Sequence, residues 1–70
     1  MKEIISPMGG KVIDIKIQIG DFVNEFDEIL TLEAMKMELP IVAESPGTVK
    51  EINCIKGNNV ETNDVLAVLE

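Results

Sequence analysis

The 70-residue sequence contains no arginine, histidine, tryptophan or tyrosine, and it has a single cysteine. Without histidine, and with Cys54 as the one thiol, the chain offers no standard zinc site and no internal disulfide. All six basic residues are lysine, and thirteen carboxylates bring the formal charge to -7. A chain with this charge and no stacking aromatic platform is unsuited to binding nucleic acid.

Long apolar runs are missing as well. No stretch approaches membrane-spanning length, and the first residues, MKEIISPMGG, lack the apolar core of an export signal. We therefore expect no membrane insertion and a cytoplasmic location. The excess of carboxylates favours solubility as its main role, with electrostatic steering towards a basic partner as the second interpretation, and the two are compatible.

The apolar residues that are present are mostly β-branched, with ten isoleucines and seven valines beside two phenylalanines. Such side chains suit a half-buried pleated surface, so the composition favours a β-rich fold. Cys54 lies in one such run, VKEINCI, where we expect a buried structural thiol. The length allows one small domain, residues 1–70, and its small core argues against a large catalytic cleft.

The chain consists of two copies of one half. A shift of 37 residues places residues 4–33 over residues 41–70 without a gap, and nine of the thirty positions are then identical. The identical pairs are Ile4/Ile41, Gly10/Gly47, Val12/Val49, Ile15/Ile52, Gly20/Gly57, Val23/Val60, Asp27/Asp64, Leu32/Leu69 and Glu33/Glu70. Neither half is large enough to bury its own apolar face, so the two halves must close on each other.

Each half repeats the same order of features: a Pro/Gly turn, an alternating run, a glycine among polar residues and a closing apolar run. This order predicts an all-β flattened barrel or sandwich of two four-stranded antiparallel sheets with quasi-twofold symmetry. Gly20 and Gly57 are expected to adopt positive φ at matched turns. Asp27 and Asp64 are expected to make local turn hydrogen bonds.

The first alternating run, KVIDIKIQI, has a period of two and is predicted to be a strand. Strict alternation assigns its residues to two faces. One face would carry Val12, Asp14 and Lys16, and the other Ile13, Ile15, Ile17 and Ile19.

The segment EILTLEAMKMEL has helical propensity, but the repeat argues against a helix there. Residues 29–33 align with the strand-like residues 66–70, and Pro40 opens a β-branched run as a helix breaker. Pro40 also indicates an edge strand or a strand start, because it cannot donate to a ladder. We therefore predict two strands joined by a hairpin within residues 34–40, with Lys36 at or near its tip.

A tight hairpin would normally use Asn-Gly or Asp-Gly, yet this one offers Met-Lys. An ε-amine at an outward turn is accessible to a modifying enzyme, and Met35 and Met37 would add apolar surface without a competing nucleophile. The other five lysines lie within or beside alternating runs and are typical of solvated strand faces. On physical grounds alone, Lys36 is either an attachment point or an ordinary exposed lysine.

The sequence EAMKME, residues 33–38, resembles the attachment motif of biotinyl domains, the biotin carboxyl carrier domains of biotin-dependent carboxylases and decarboxylases. SPMGGKV before it and SPGTVKEI after it resemble the strand and turn sequences of that family, so the resemblance covers residues 4–70. It implies the barrel-sandwich hybrid fold and biotin joined covalently to Lys36. The implied attachment motif around Lys36 comprises Glu33, Ala34, Met35, Met37 and Glu38.

The resemblance also implies partners. A biotin protein ligase would join the biotin carboxyl group to the Lys36 amine through a biotinyl adenylate, and it would have to deprotonate an amine whose free pKa is about 10.4. The carrier would then serve a biotin carboxylase or decarboxylase site and a carboxyltransferase site, because tethering raises local concentration. The hard chemistry belongs to the cofactor and the partner enzymes, so the chain, expected to be a monomer, is not an enzyme by itself.

The match departs from the family pattern in two places. Gly9 stands where many such domains have proline in a PMPG turn, and Leu39 and Pro40 stand where asparagine and another polar residue are common. There is no thumb-like insertion between Ile17 and Asp21, and no Ala/Pro-rich linker is expected ahead of residue 1. The sequence therefore looks more like the domains of pyruvate, propionyl-CoA and decarboxylase-type enzymes, or like a short attachment protein.

Two alternatives share the expected fold. A lipoyl domain would use its lysine for acyl transfer, but such domains usually flank that lysine as DKA, so Met35 and Met37 favour biotin. A structural or adaptor module of this fold would need no lysine at the tip. The substrate carboxylated or decarboxylated, and any coupling to sodium transport, stay open.

Overall fold

The computed structural model describes residues 2–70, and the predicted domain start at Met1 lies outside them. These residues form eight strands: β1 (Lys2–Ile5), β2 (Gly10–Ile15), β3 (Phe22–Val23), β4 (Glu28–Ala34), β5 (Met37–Val42), β6 (Gly47–Ile52), β7 (Asn59–Val60) and β8 (Val65–Leu69). Residues 28–42 form two strands rather than a helix, as the repeat predicted. The part of the chain described here contains no helix that could cross a membrane.

The strands form two four-stranded antiparallel sheets, with orders β1-β8-β6-β3 and β5-β4-β2-β7. This confirms the predicted all-β architecture with its quasi-twofold symmetry. A shift of 37 residues carries one sheet onto the other. Each sheet contains two strands from each half, so the halves exchange strands and interlock instead of stacking as separate sheets.

Backbone hydrogen bonds between the halves occur in equivalent pairs. In the first pair, the N–H of Gly20 donates to the carbonyl of Val49, and that of Gly57 donates to Val12. In the second pair, Phe26 donates to Ala43 and Asn63 to Ser6. In the third pair, Ala43 donates to Asp27 and Ser6 to Asp64, and all six distances are 2.7–2.9 Å. Each half therefore satisfies backbone groups that the other half leaves open, and neither half has a complete hydrogen-bond network without the other.

The matched turns have the predicted geometry. Gly20 and Gly57 have φ of 96° and 95°, a region that glycine enters at little cost. Asp27 Oδ2 accepts the N–H of Asn24 at 2.8 Å. Asp64 Oδ2 accepts the N–H of Glu61 at the same distance in the second half. The predicted turn roles of these four residues are confirmed.

The core lies between the two sheets and is almost entirely aliphatic. Its largest fully buried side chains are Ile29, Leu30, Leu32, Leu66, Leu69, Val12 and Val49. Cys54 is buried among them as predicted, at the position equivalent to buried Ile17. Burial raises the pKa of the Cys54 thiol above its ordinary value, because the thiolate loses hydration.

The prediction of strict alternation along the first run is wrong. The β2–β4 register shifts between Val12 and Asp14, and strand β2 ends at Ile15. Val12 and Ile17 therefore both reach the core, although alternation placed them on opposite faces, while Ile19 is 68% exposed. An equivalent shift occurs between Val49 and Glu51, so the bulge belongs to the fold of both halves.

Candidate attachment site at the β4–β5 hairpin

The hairpin that joins β4 to β5 is as short as a hairpin can usually be. Ala34 pairs with Met37, which leaves Met35 and Lys36 as the two turn residues, as predicted. Their φ values are 52° and 64°. Positive φ at both central positions is the requirement of a type I′ turn, for which Asn-Gly is preferred. A left-handed residue other than glycine costs about 1–2 kcal/mol, so turn propensity did not select Met-Lys here.

The stem of the hairpin is anchored in the core. Leu32 is fully buried, and its partner across the ladder, Leu39, is half-buried against the core cluster. Leu39 thus occupies an inward position, which explains an apolar residue where the family often has a polar one. Pro40 is exposed on β5, which is an edge strand, as its missing N–H predicted.

Gly10, the first residue of β2, allows that strand to lie close against β4 of the hairpin. A Cβ atom at this position would lie 2.8 Å from the carbonyl oxygen of Glu33 and 3.4 Å from Ala34 Cβ. A side chain here would therefore force the backbone of β2 or β4 to move. The sequence repeat contained a signal for this contact, since Gly10 matches Gly47, but the contact itself was not predicted.

Lys36 and both flanking methionines project into solvent. Met35 is 86% exposed and Met37 is 71% exposed, so neither contributes to the core. Lys36 is exposed as well, and no hydrogen bond or ion pair within residues 2–70 engages its amine. The tip therefore presents an unpaired primary amine between two exposed thioether side chains.

Two carboxylates lie directly below the tip. Glu33 and Glu38 oppose each other across the β4–β5 ladder, and both are exposed. Like charges in opposing positions are mildly destabilising. Lys11 opposes Glu33 on the other side, in β2. All six residues of the predicted motif thus belong to one hairpin, and Lys11 is a neighbour that sequence reasoning missed.

The rest of the described surface contains no comparable site. No cluster of three metal-binding side chains exists among residues 2–70. A groove of about 490 Å³ runs between the two edge strands β1 and β5 and is lined by residues including Ile5, Pro40 and Val42. It does not include Lys36.

The family described as "Biotin-requiring enzyme" matches residues 2–69. The chain belongs to this family. It is 43% identical over 65 residues to the human mitochondrial propionyl-CoA carboxylase alpha chain, covering 93% of this chain and 9% of that one. It is 40% identical over 62 residues to the biotin/lipoyl attachment protein of Bacillus subtilis strain 168, covering 89% and 85%.

A third relative is the biotin carboxyl carrier protein of Streptococcus mutans, 39% identical over 64 residues, covering 91% of this chain and 49% of that one. The fold matches the Kluyveromyces lactis urea carboxylase with a TM-score of 0.92 and 30% identity, covering 99% of this chain and 6% of that one. The chain spans about a tenth of the length of the propionyl-CoA carboxylase alpha chains that it matches. The family resemblance stated from the motifs is confirmed.

Proposed function

We propose that this chain is a biotin carboxyl carrier domain in which biotin is joined to the side chain of Lys36. The observation that carries the proposal is an exposed, unpaired amine on a two-residue turn whose residues both have unfavourable backbone conformations. Such conformations persist where the surrounding structure imposes them, and they cluster at functional sites. Membership of the biotin-requiring family supports the same function.

The residues at the tip fit a group linked through an amide bond. Amide formation needs an amine that a ligase can reach and deprotonate, and the amines of two other lysines already have partners. Lys2 Nζ donates to the carbonyl of Pro46 at 2.6 Å, and Lys16 Nζ lies 3.3 Å from Asp14 Oδ2. By contrast, the Lys36 amine makes no hydrogen bond or ion pair within residues 2–70.

The chain contributes presentation rather than catalysis. Biotin, when bound, supplies a ring nitrogen that accepts a carboxyl group and later releases it. The buried stem of β4 and β5 fixes the base of the lysine, and the four-carbon side chain supplies reach. Met35 and Met37 surround the linkage with apolar surface that adapts to different partner surfaces. The domain is therefore a carrier within a multi-component carboxylase and not an enzyme by itself.

The proposed partners follow from this role. A biotin protein ligase would attach the group, a biotin carboxylase or decarboxylase component would act on it at one site, and a carboxyltransferase component would act at the other. Glu33 and Glu38 would favour partner surfaces with basic residues near the tip. A monomeric domain and a cytoplasmic location remain predictions from the sequence.

Intact mass spectrometry tests the attachment. The chain should be coexpressed with a biotin protein ligase and a lipoate ligase, with both cofactors supplied. We expect one biotinyl group on the wild type, none on Lys36→Arg and one on the control Lys11→Arg. Both variants keep the positive charge and lose one amine, so a difference between them identifies the amine that is modified. A lipoyl addition would favour the acyl carrier function instead, a possibility raised by the biotin/lipoyl attachment protein among the relatives. An unmodified chain would favour an adaptor module.

A further inference from the structure

Both aromatic side chains of the protein lie on its surface. Phe22 is 64% exposed and Phe26 is 73% exposed, and the sequence has no other aromatic residue. Phenylalanine normally contributes to stability by leaving water. Neither residue does so here, so the core does not explain the presence of either.

The backbone of Phe26 makes the residue more unusual. Its φ is 73°, a left-handed conformation in which bulky residues are rare. The equivalent residue of the second half, Asn63, has φ of 72°, and asparagine is well suited to that region. The same turn is therefore made with a favourable residue in one half and with an unfavourable, exposed one in the other.

The contrast extends to the neighbouring positions. Ile19, Phe22 and Phe26 are all exposed, and their equivalents in the second half are Lys56, Asn59 and Asn63. The two backbones are closely matched and all six side chains are exposed. The fold thus accepts polar residues at these positions, and the apolar ones serve something other than the fold.

The charge of the same segment also differs between the halves. Residues 19–28 contain four carboxylates and no lysine, whereas the equivalent residues 56–65 contain two carboxylates and one lysine. The four carboxylates are exposed and belong to Asp21, Glu25, Asp27 and Glu28. A second copy of the chain would bring like charges together, so charge favours a basic partner over self-association.

The segment lies far from Lys36. Phe26 precedes β4, and its N–H donates to the carbonyl of Ala43 at 2.7 Å, beyond the end of β5 that is remote from the tip. The six residue steps from Glu28 to Ala34 span about 20 Å at the usual rise of a strand. A partner bound to residues 19–28 would therefore leave the attachment lysine free to enter an active site.

We propose that residues 19–28 form a docking surface for the biotin carboxylase component, with Ile19, Phe22 and Phe26 inserting into an apolar surface rimmed by lysine or arginine. This inference rests on the proposed carrier function. The four exposed carboxylates of this segment would complement such a basic rim and would steer the two surfaces together. Docking at this surface holds the domain while its tip carries the reacting group.

The test replaces the two phenylalanines by their second-half equivalents. The variant carrying Phe22→Asn and Phe26→Asn keeps the net charge, and biotinylated protein is assayed as a substrate of the cognate biotin carboxylase by ATP consumption. We expect KM to rise at least about tenfold, the effect of losing an interface hot spot, while kcat stays within about twofold. The matched control is Ile55→Gln, at a side chain 66% exposed outside the segment, and it should leave KM unchanged.

A second measurement separates docking from folding. Phe26→Asn alone should raise the thermal midpoint, by roughly 4 °C, because it relieves the left-handed strain. A lowered midpoint would mean that Phe26 packs against the domain and would overturn the proposal. An unchanged KM in the double variant would also overturn the docking proposal. The carrier function would still stand in that case, provided that the biotinylated wild type is turned over.

Two further outcomes identify which idea failed. If the KM for the carboxyltransferase component rises and that for the biotin carboxylase does not, the proposed partner is wrong. If the wild type acquires no biotin at Lys36, the carrier function and the docking proposal fail together. Failure of docking alone is recognised by normal biotinylation with no effect of the phenylalanine replacements.

Discussion

The two halves of the chain share one interior and carry different surfaces. Their inter-half hydrogen bonds, turn aspartates and bulges match position by position. Cys54 replaces Ile17 in the core without changing the burial of the site. On the surface, the positions that carry exposed isoleucine and phenylalanine in the first half carry exposed lysine and asparagine in the second. Because a strand exchange couples the halves, the interior positions are constrained in pairs, while surface positions are free to specialise.

The largest expected effect tests the shared interior. Leu32 and Leu69 are equivalent and essentially inaccessible to solvent. Leu32→Ala and Leu69→Ala should each destabilise the domain by about 2–5 kcal/mol, because each leaves a cavity in the same core. Urea unfolding followed by circular dichroism should show one transition for both variants. Separate transitions, or a loss confined to one variant, would contradict the interlocked arrangement.

In a second experiment, replacing the equivalent glycines Gly10 and Gly47 by alanine should lower the stability of the domain by different amounts. A Cβ at Gly10 meets the Glu33 carbonyl at 2.8 Å, whereas a Cβ at Gly47 has its nearest contacts at 3.1 Å. Gly10→Ala should cost about 1–3 kcal/mol and more than Gly47→Ala, because it is the tighter overpacking. It should also slow biotinylation by displacing Glu33 and Ala34. Gly9→Ala, with a nearest contact of 3.4 Å, is the control; equal losses at Gly10 and Gly9 would refute the close approach.

Exchanging turn residues between the tip and the second half should give effects of opposite sign. Met35→Asn should raise the free energy of unfolding by about 1 kcal/mol, since asparagine tolerates the left-handed region. Asn63→Met should lower it by a similar amount. Chemical denaturation measures both, and the initial rate of biotinylation should fall for Met35→Asn alone. A loss of stability in Met35→Asn would show that the exposed methionine contributes to the fold.

The smallest effect concerns pH and the one buried thiol. Because burial raises the pKa of Cys54 in the folded state, the unfolded chain loses its thiol proton at lower pH. Wild-type stability should therefore decline as pH rises above about 8.5, the ordinary pKa of a thiol, and through the raised folded value. Cys54→Val should reduce this decline while leaving stability at pH 7 nearly unchanged. Parallel pH profiles for the two proteins would contradict a buried thiol.

Local chemistry made much of the site predictable. The motif EAMKME identified the lysine. The absence of glycine from the tip indicated that Met35 and Lys36 are there for a reason other than turn formation. Asp27 and Asp64 indicated the two matched turns. Gly10 could be recognised as repeated but not as a close contact, because that contact joins residues more than twenty positions apart. The exposure of Phe22 and Phe26 was also hidden, since an apolar residue in a sequence normally suggests burial.

The sequence by itself determined the duplication, the strand-forming periods, the positive-φ glycines and the lysine between two methionines, because each depends on residues that are neighbours along the chain. The tertiary structure alone decided which strands share a sheet, where bulges return Val12 and Ile17 to one core, and which surface of one half became apolar. Alternation specifies the faces of a strand but not its partner, and partners here come from opposite halves of the chain.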